Sequence, residues 1–313
     1  AYSLLKTGKD EWGEVLPLIF KAYGDYKLPL YIYSSVIPIA LLGLNSVAVR
    51  LPSVLAGVGI IVFTYLIALN IFSRHKILAA VCAFLVALEP WSFFISRAAF
   101  EANLALFLFL AGVYFFLASF KRNTLLLPSA FFLGLTVWTY NSYRIFTPVM
   151  LVVMAVLFRD EIIRISKKTP RIFYLSLIVL SFFLLPMFFQ LTNPAGRARY
   201  EKVSIIDEGT VAQIIELRNN SSFPSYLSRI LYNRPVFFIK HFIINWLSHF
   251  SPDYLFVNGG SHYQFSLPGH GLIYPLNFPL LLIGLILLIK KALKKDKIYL
   301  FFLFWPLLAP VAS

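Results

Sequence analysis

Eight apolar runs, bounded by charges or prolines, occupy about residues 53–72, 76–95, 99–119, 125–141, 144–158, 171–191, 275–290 and 298–313. Runs of about twenty residues with few charges match the hydrocarbon thickness of a bilayer, and only helices or closed barrels pair all their backbone polar groups there. The pattern predicts an all-α, polytopic bundle of transmembrane helices. Composition agrees: 59% of residues are hydrophobic and 13% charged, against about 25% charged in a soluble domain. The runs at 125–141 and 144–158 are short, which implies tilt or extension into the loops.

The charges between the runs set orientation. RHK at 74–76, KR at 121–122, RISKKTPR at 164–171 and KKALKKDK at 290–297 recur at every second connection. Short loops rich in Lys and Arg stay cytoplasmic. The connections between them, which carry Arg97 with Glu101, Tyr140 to Arg144, and the long segment 192–274, are expected to face outward. The net charge of +14 is scattered over these loops instead of forming one patch, so no nucleic-acid partner is expected. The single cysteine, Cys82, excludes a disulfide framework and reads as a core residue.

This reading divides the chain into a first external loop at 1–52, a transmembrane bundle at 53–191, an external loop region at 192–274 and C-terminal spans at 275–313. The run LPLYIYSSVIPIALLG, 28–43, fits either a further span or an interfacial pair of helices broken near Pro38; Tyr31, Tyr33, Lys27 and Arg50 favour the interface. The stretch 225–250 reads as one amphipathic run against the bilayer edge. The sequence opens at Ala1 without Met and stops at Ser313 inside an apolar run, so a piece of a longer chain is expected.

Ionic side chains are costly near lipid and point to function. In SRAAFEAN, 96–103, Arg97 and Glu101 are four apart and, if helical, share a face. Lys27 follows Asp25 in GDYKLPLY, Arg144 follows Tyr140 and Tyr143 in WTYNSYRIF, and Asp10, Glu11 and Glu14 lie in KDEWGE. Placed on one side, they form a mixed acidic and basic hollow. Arg and Lys hold phosphates, and a carboxylate beside them can act as general base. We take Glu101, Asp10 and Glu11 as candidate catalytic acids and Lys27, Arg97, Arg144 and Arg50 as candidate phosphate ligands. Each also has a plainer reading: a surface ion pair for Arg97 and Glu101, lipid anchors for Lys27 and Arg50, a snorkelling or capping cation at Arg144, loop charges at Asp10 and Glu11. Glu89, in ALEPWSFF, is an acid at the outer end of a span; His262 and His270 read as loop residues. No carboxylate or His cluster suggests a metal, and none is expected as cofactor.

Several motifs run in a familiar order. YKLPLYIY resembles a K-P-P-L-x-x-Y/W element, VRLPSVLAG an A-R-L-P-S-A-L-x-G element, and PWSFFISRAAFEAN a P-W-x-x-x-x-S-R…E/D junction. YNSYRIFTP, and FSPDYLF followed by LPGHGLIY, resemble bacterial members of the same group. The chain thus resembles the GT-C glycosyltransferases of family 39, which use polyprenyl-phosphate sugars and are related to protein O-mannosyltransferases and lipid A aminoarabinose transferases. The resemblance implies a helical membrane bundle with interfacial helices in its first external loop, and favours the interfacial reading of 28–43. It implies a polyprenyl-phosphate-sugar donor, a lipid, glycan or protein acceptor on the outer face, inversion at the anomeric carbon, and a bacterial plasma membrane location. Lys27 falls on the family's phosphate-contacting Lys, and Glu101 on an external acid with Arg97 beside it. Leu28 stands where the family usually has Pro. The family's principal acidic pair, at the end of a first span, would precede Ala1, and Asp10–Glu11 falls too late to be that pair. A transporter or flippase of lipid-linked sugars is the alternative; it would place its polar groups near the midplane.

Overall fold

The computed structural model describes residues 1–23, 25–72, 75–262 and 265–312. It opens with a short helix, α1 (Tyr2–Thr7), and an antiparallel hairpin of β1 (Phe20–Ala22) and β2 (Asp25–Lys27). The bundle follows: α2 (Pro29–Leu42), α3 (Ser46–Ile71), α4 (Lys76–Leu88), α5 (Pro90–Arg97), α6 (Glu101–Ser119), α7 (Leu126–Thr136), α8 (Tyr143–Leu157), α9 (Arg159–Lys168) and α10 (Pro170–Leu191). Four further helices occupy the long connection: α11 (Pro194–Lys202), α12 (Glu208–Asn219), α13 (Ser225–Leu231) and α14 (Arg234–Ser248). A helical pair, α15 (Phe278–Leu293) and α16 (Lys297–Leu308), completes the fold.

Four helical segments are long and apolar enough to cross a membrane: Ser46–Ile71, Glu101–Ser119, Pro170–Leu191 and Pro275–Leu293. The pair α4 and α5 makes a fifth if it is counted as one span bent by 60°. The chain is therefore an integral membrane protein of the all-α, multi-pass type. The run 76–95 is not straight, because Pro90 lacks the N–H a helix needs and pushes Glu89 out of the helical region, to φ −58°, ψ 133°. Shorter apolar helices, α2, α7, α8 and α16, fall below that length.

Helix α6 is the centre of the bundle. In lipid, apolar side chains gain little by leaving the solvent, so helices associate by close packing over small residues. Ser53, Ala56, Gly57 and Ile60, at i, i+3, i+4 and i+7, form a buried stripe on α3, and this helix packs along α6. Gly112 does the same for α7: a Cβ there would stand 2.5 Å from Leu133 Cγ. On the other flank Phe109 meets Phe146 at 5.0 Å and Trp305 at 4.8 Å between ring centroids, which locks α8 and α16 onto α6.

Contacts across the chain sort into two ends. At one, Lys121 Nζ donates to Asn70 Oδ1 at 3.2 Å, Arg164 donates to the Phe120 carbonyl at 3.2 Å, and Lys297 meets Asp160 at 2.8 Å and Glu161 at 3.1 Å. The basic loops thus gather together; of their residues, Arg74 lies outside the described set. At the other end, Leu30 N donates to the Trp138 carbonyl at 3.1 Å, Gln190 to the Leu18 carbonyl at 3.2 Å, and Trp246 to the Leu307 carbonyl at 2.8 Å. We call these the basic end and the hairpin end.

Three local expectations are corrected. The run 28–43 contains one helix, α2, continuous through Pro38. Buried Tyr31, Ser35 and Ile39 hold both halves of α2 on one line, and the Tyr31 hydroxyl donates to the Val49 carbonyl of α3 at 3.1 Å. The stretch 225–250 is two helices, because Asn233 caps α14 by accepting from Val236 N at 2.9 Å, with Pro235 behind it. Helix α3 starts at Ser46 instead of residue 53, so Arg50 lies in the same helix as the run 53–72. At 1.5 Å per residue its 26 residues span about 39 Å, more than a hydrocarbon layer of about 30 Å.

Candidate active site

The hairpin end collects charge from three distant segments. A strand points alternate residues to the same side, so Asp25 and Lys27 share one face of β2. Lys27 Nζ lies 3.7 Å from Asp25 Oδ2. Helix α11 brings Arg199 to the same carboxylate oxygen, with Nη1 at 3.5 Å. The other oxygen, Oδ1, accepts from Tyr26 N at 2.8 Å. Asp25 is the more enclosed partner, with 14% of its side chain accessible, whereas Lys27 and Arg199 keep 44% and 40%. Glu101, half-buried at the first turn of α6, lies in electrostatic range of Lys27, Asp25 and Arg199. Among the described residues no cation reaches Glu101 at ion-pair distance; it is coupled to Lys27 and Arg199 through the field alone.

Polar packing fixes the start of α6. Asn103, buried, donates to the Ser53 carbonyl at 2.7 Å and to Ser53 Oγ at 3.2 Å, and Ser53 Oγ in turn donates to the Ile95 carbonyl at 3.2 Å. This network ties α3, α5 and α6 together, so VRLPSVLAG and SRAAFEAN meet through one serine and one asparagine. Gly57 lets α5 approach: a Cβ would meet Ser96 Oγ at 2.3 Å.

Arg144 supports the site from beneath. It is 2% exposed. Its Nε donates to the Val137 carbonyl at 3.4 Å, Nη1 to the Gly196 carbonyl at 3.4 Å, and Nη2 to Gln190 Oε1. The guanidinium therefore joins α8, the end of α10 and the start of α11. Next to it the Tyr200 hydroxyl donates to the Asn141 carbonyl at 2.9 Å. Burial pushes the Tyr200 phenol up from its ordinary value, and the Arg144 cation pulls the other way.

The other predicted residues lie apart. Arg97 and Glu101 are not on one helical face: α5 ends at Arg97, Ala98 is extended at φ −103°, ψ 164°, and α6 begins at Glu101. Arg97 sits 5.2 Å over the Phe93 ring and lines a groove of about 260 Å³ between α3, α4 and α5. Arg50 is exposed on α3. Asp10 is buried, and its Oδ1 accepts from Trp12 N and Glu14 N at 2.9 Å each, which organises its own loop. Glu11 is exposed in that loop. Glu89 accepts from Tyr274 N at 3.2 Å and from the Asn277 side chain, anchoring the chain before α15. His270 contacts the Pro268 carbonyl at 3.1 Å, and the His262 ring lies 5.1 Å from that of Phe265. Asp25 and Arg199 were not singled out from the sequence as site residues. The alternation in DYK could have flagged Asp25; nothing local connects Arg199 to it.

Comparison with known families decides the class. Residues 8–193 match the family model described as "Dolichyl-phosphate-mannose-protein mannosyltransferase". The chain belongs to that family. No curated protein and no solved structure matches it. Membership makes this mannosyltransferase-family chain a GT-C enzyme of family 39, a glycosyltransferase that takes mannose from a polyprenyl-phosphate donor. The matched range contains Asp25, Lys27, Glu101 and Arg144 and ends just before α11, so Arg199 is supplied by sequence beyond it.

Proposed function

We propose that the hairpin end is the outer face, and that mannose moves there from the lipid phosphate to an acceptor hydroxyl. The basic end then faces the cytoplasm, as the clustering of Lys and Arg favours. Lys27 and Arg199 hold the donor phosphate, with Asp25 positioning both cations. In a single displacement the acceptor oxygen forms its bond to the anomeric carbon as the bond from that carbon to the phosphate oxygen breaks. The electron pair leaves on the phosphate, where the two cations stabilise it. The acceptor proton passes to a carboxylate, for which Glu101, at the first turn of α6 and in the field of the same two cations, is the candidate. Arg144 acts as a positioning residue, through α11 and Arg199. Arg97, Arg50, Asp10 and Glu11 stand outside this group and are given no role in the step.

The supporting observation is the convergence of Lys27, Arg199 and Glu101 around Asp25 from the hairpin, α11 and α6. Their position at the helix ends, not at mid-height, favours an enzyme over a transporter. The test offers membranes a radiolabelled polyprenyl-phosphate mannose and follows label into acceptor. Transfer should fall at least about tenfold in Lys27→Ala and in Arg199→Ala, from the loss of one charge-assisted bond. Undiminished transfer in both variants overturns the assignment.

A further inference from the structure

An apolar cavity lies towards the basic end. Helices α7, α8, α9 and α10 enclose an apolar cavity of about 510 Å³, with Ala130, Val152, Ala155, Ile162, Phe173 and Leu177 among its walls. Its hydroxyls are already used: Ser129 Oγ donates to the Gly112 carbonyl at 2.8 Å and Ser176 Oγ to the Ile172 carbonyl at 2.7 Å. The cavity therefore has nothing to offer water. It opens sideways, where Val152 is 63% and Leu177 44% exposed.

Directly above it runs α9, an amphipathic helix with Ile165 fully buried. Lys167, Lys168 and Arg171, at the α9–α10 corner, are exposed. Among the described residues none of the three has a carboxylate at ion-pair distance: the acids of α9, Asp160 and Glu161, sit in its first turn with Lys297, and Lys167 and Lys168 in its last. Three unneutralised cations thus stand over an apolar cavity open to the membrane.

The geometry points to a resident anionic glycerophospholipid, one acyl chain in the cavity and its phosphate on Lys167, Lys168 and Arg171. The polyprenyl donor is not the occupant. A phosphate at this corner is separated from Lys27 and Arg199 by the length of α10, 22 residues or about 33 Å. The lipid fills the space between α8 and α10, whereas α7 and α10 already pack directly, Gly134 against Phe183.

Native mass spectrometry of the full chain in detergent tests this, with phosphatidylglycerol and phosphatidylcholine of identical acyl chains as probes. The wild type should retain phosphatidylglycerol at least about tenfold better, since each Lys or Arg near an anionic headgroup contributes about fivefold in affinity. K167Q/K168Q/R171Q should weaken retention by roughly 150-fold. Ala155→Trp, at an exposed wall, should expel the lipid with all three cations intact. K290Q/K291Q, at another basic loop, should change nothing, and a melting curve for each variant reports folding. Equal retention of the two lipids, retention by the triple variant, or retention by Ala155→Trp overturns the inference. So does a preference for polyprenyl phosphate, or a lipid-free dimer occupying this face.

Discussion

Replacing Lys27 by Ala should separate activity from stability. The ammonium is 3.7 Å from Asp25 Oδ2 and 44% of its side chain is accessible. At that distance two unit charges in water attract by about 1 kcal/mol, and exposed pairs measure about 0.2–1 kcal/mol. Loss of Lys27 should therefore lower folding stability by less than about 1 kcal/mol, a melting shift of a few degrees at most. A hydrogen bond to a charged phosphate is worth about 1.5–3 kcal/mol, so kcat/KM for mannosyl transfer should fall by about 10–150-fold. Arg at position 27 should restore part of the loss, because it keeps the charge with a different reach. The assay measures initial rates with labelled donor in detergent, beside a melting curve of the same preparation. A variant within twofold of wild type in kcat/KM would refute the reasoning. So would an activity loss that merely tracks the fraction unfolded.

Other consequences follow from the packing. Asn103→Ala strips the side chain that donates to Ser53 at 2.7 and 3.2 Å and should lower stability by about 1–3 kcal/mol, seen as an earlier melting transition together with reduced transfer. Gly57→Ala must push Ser96 aside and should cost about 1–3 kcal/mol, whereas Gly284→Ala, with open space around it, should melt like wild type. Arg144→Met leaves the Val137 and Gly196 carbonyls and Gln190 without their donor and should destabilise by about 3 kcal/mol or more. Arg144→Lys should not restore stability, since one ammonium cannot reproduce the fork; limited proteolysis after α10 should report the release of α11.

The apolar runs were legible because burial in lipid demands uncharged helices, but only four helical segments, or five with the bent pair of α4 and α5, are long enough to cross a membrane, and the runs at 125–141, 144–158 and 298–313 hold shorter helices. The bend at Glu89 was announced by Pro90, but its 60° angle is set by packing of α5 on α3. The separation of Arg97 from Glu101 had no such signal: Ala98, Ala99 and Phe100 carry neither Gly nor Pro. The break follows from tertiary ties, with Ile95 on one side and Asn103 on the other both bound to Ser53. Pro38 misled in the opposite sense, because contacts with α3 keep α2 whole. For the proposed site, Lys27 and Glu101 could be picked out as candidates from charge placed near lipid. The partnership of Asp25 with Arg199 joins segments far apart in sequence, and no periodicity records it. Arg144 was visible as an unusual charge, yet its three acceptors belong to backbone and to Gln190, which only the folded chain brings within reach.

The central claim is that the donor phosphate sits at the hairpin end between β2, α6 and α11. Photo-crosslinking tests it most directly, with a polyprenyl phosphate carrying a diazirine beside the phosphate and the adducts mapped by peptide sequencing. The account predicts adducts within residues 25–31, 97–103 and 194–202, and their loss in Lys27→Ala combined with Arg199→Ala. Adducts confined to residues 159–171 at the basic end, or labelling unchanged in the double variant, would contradict it.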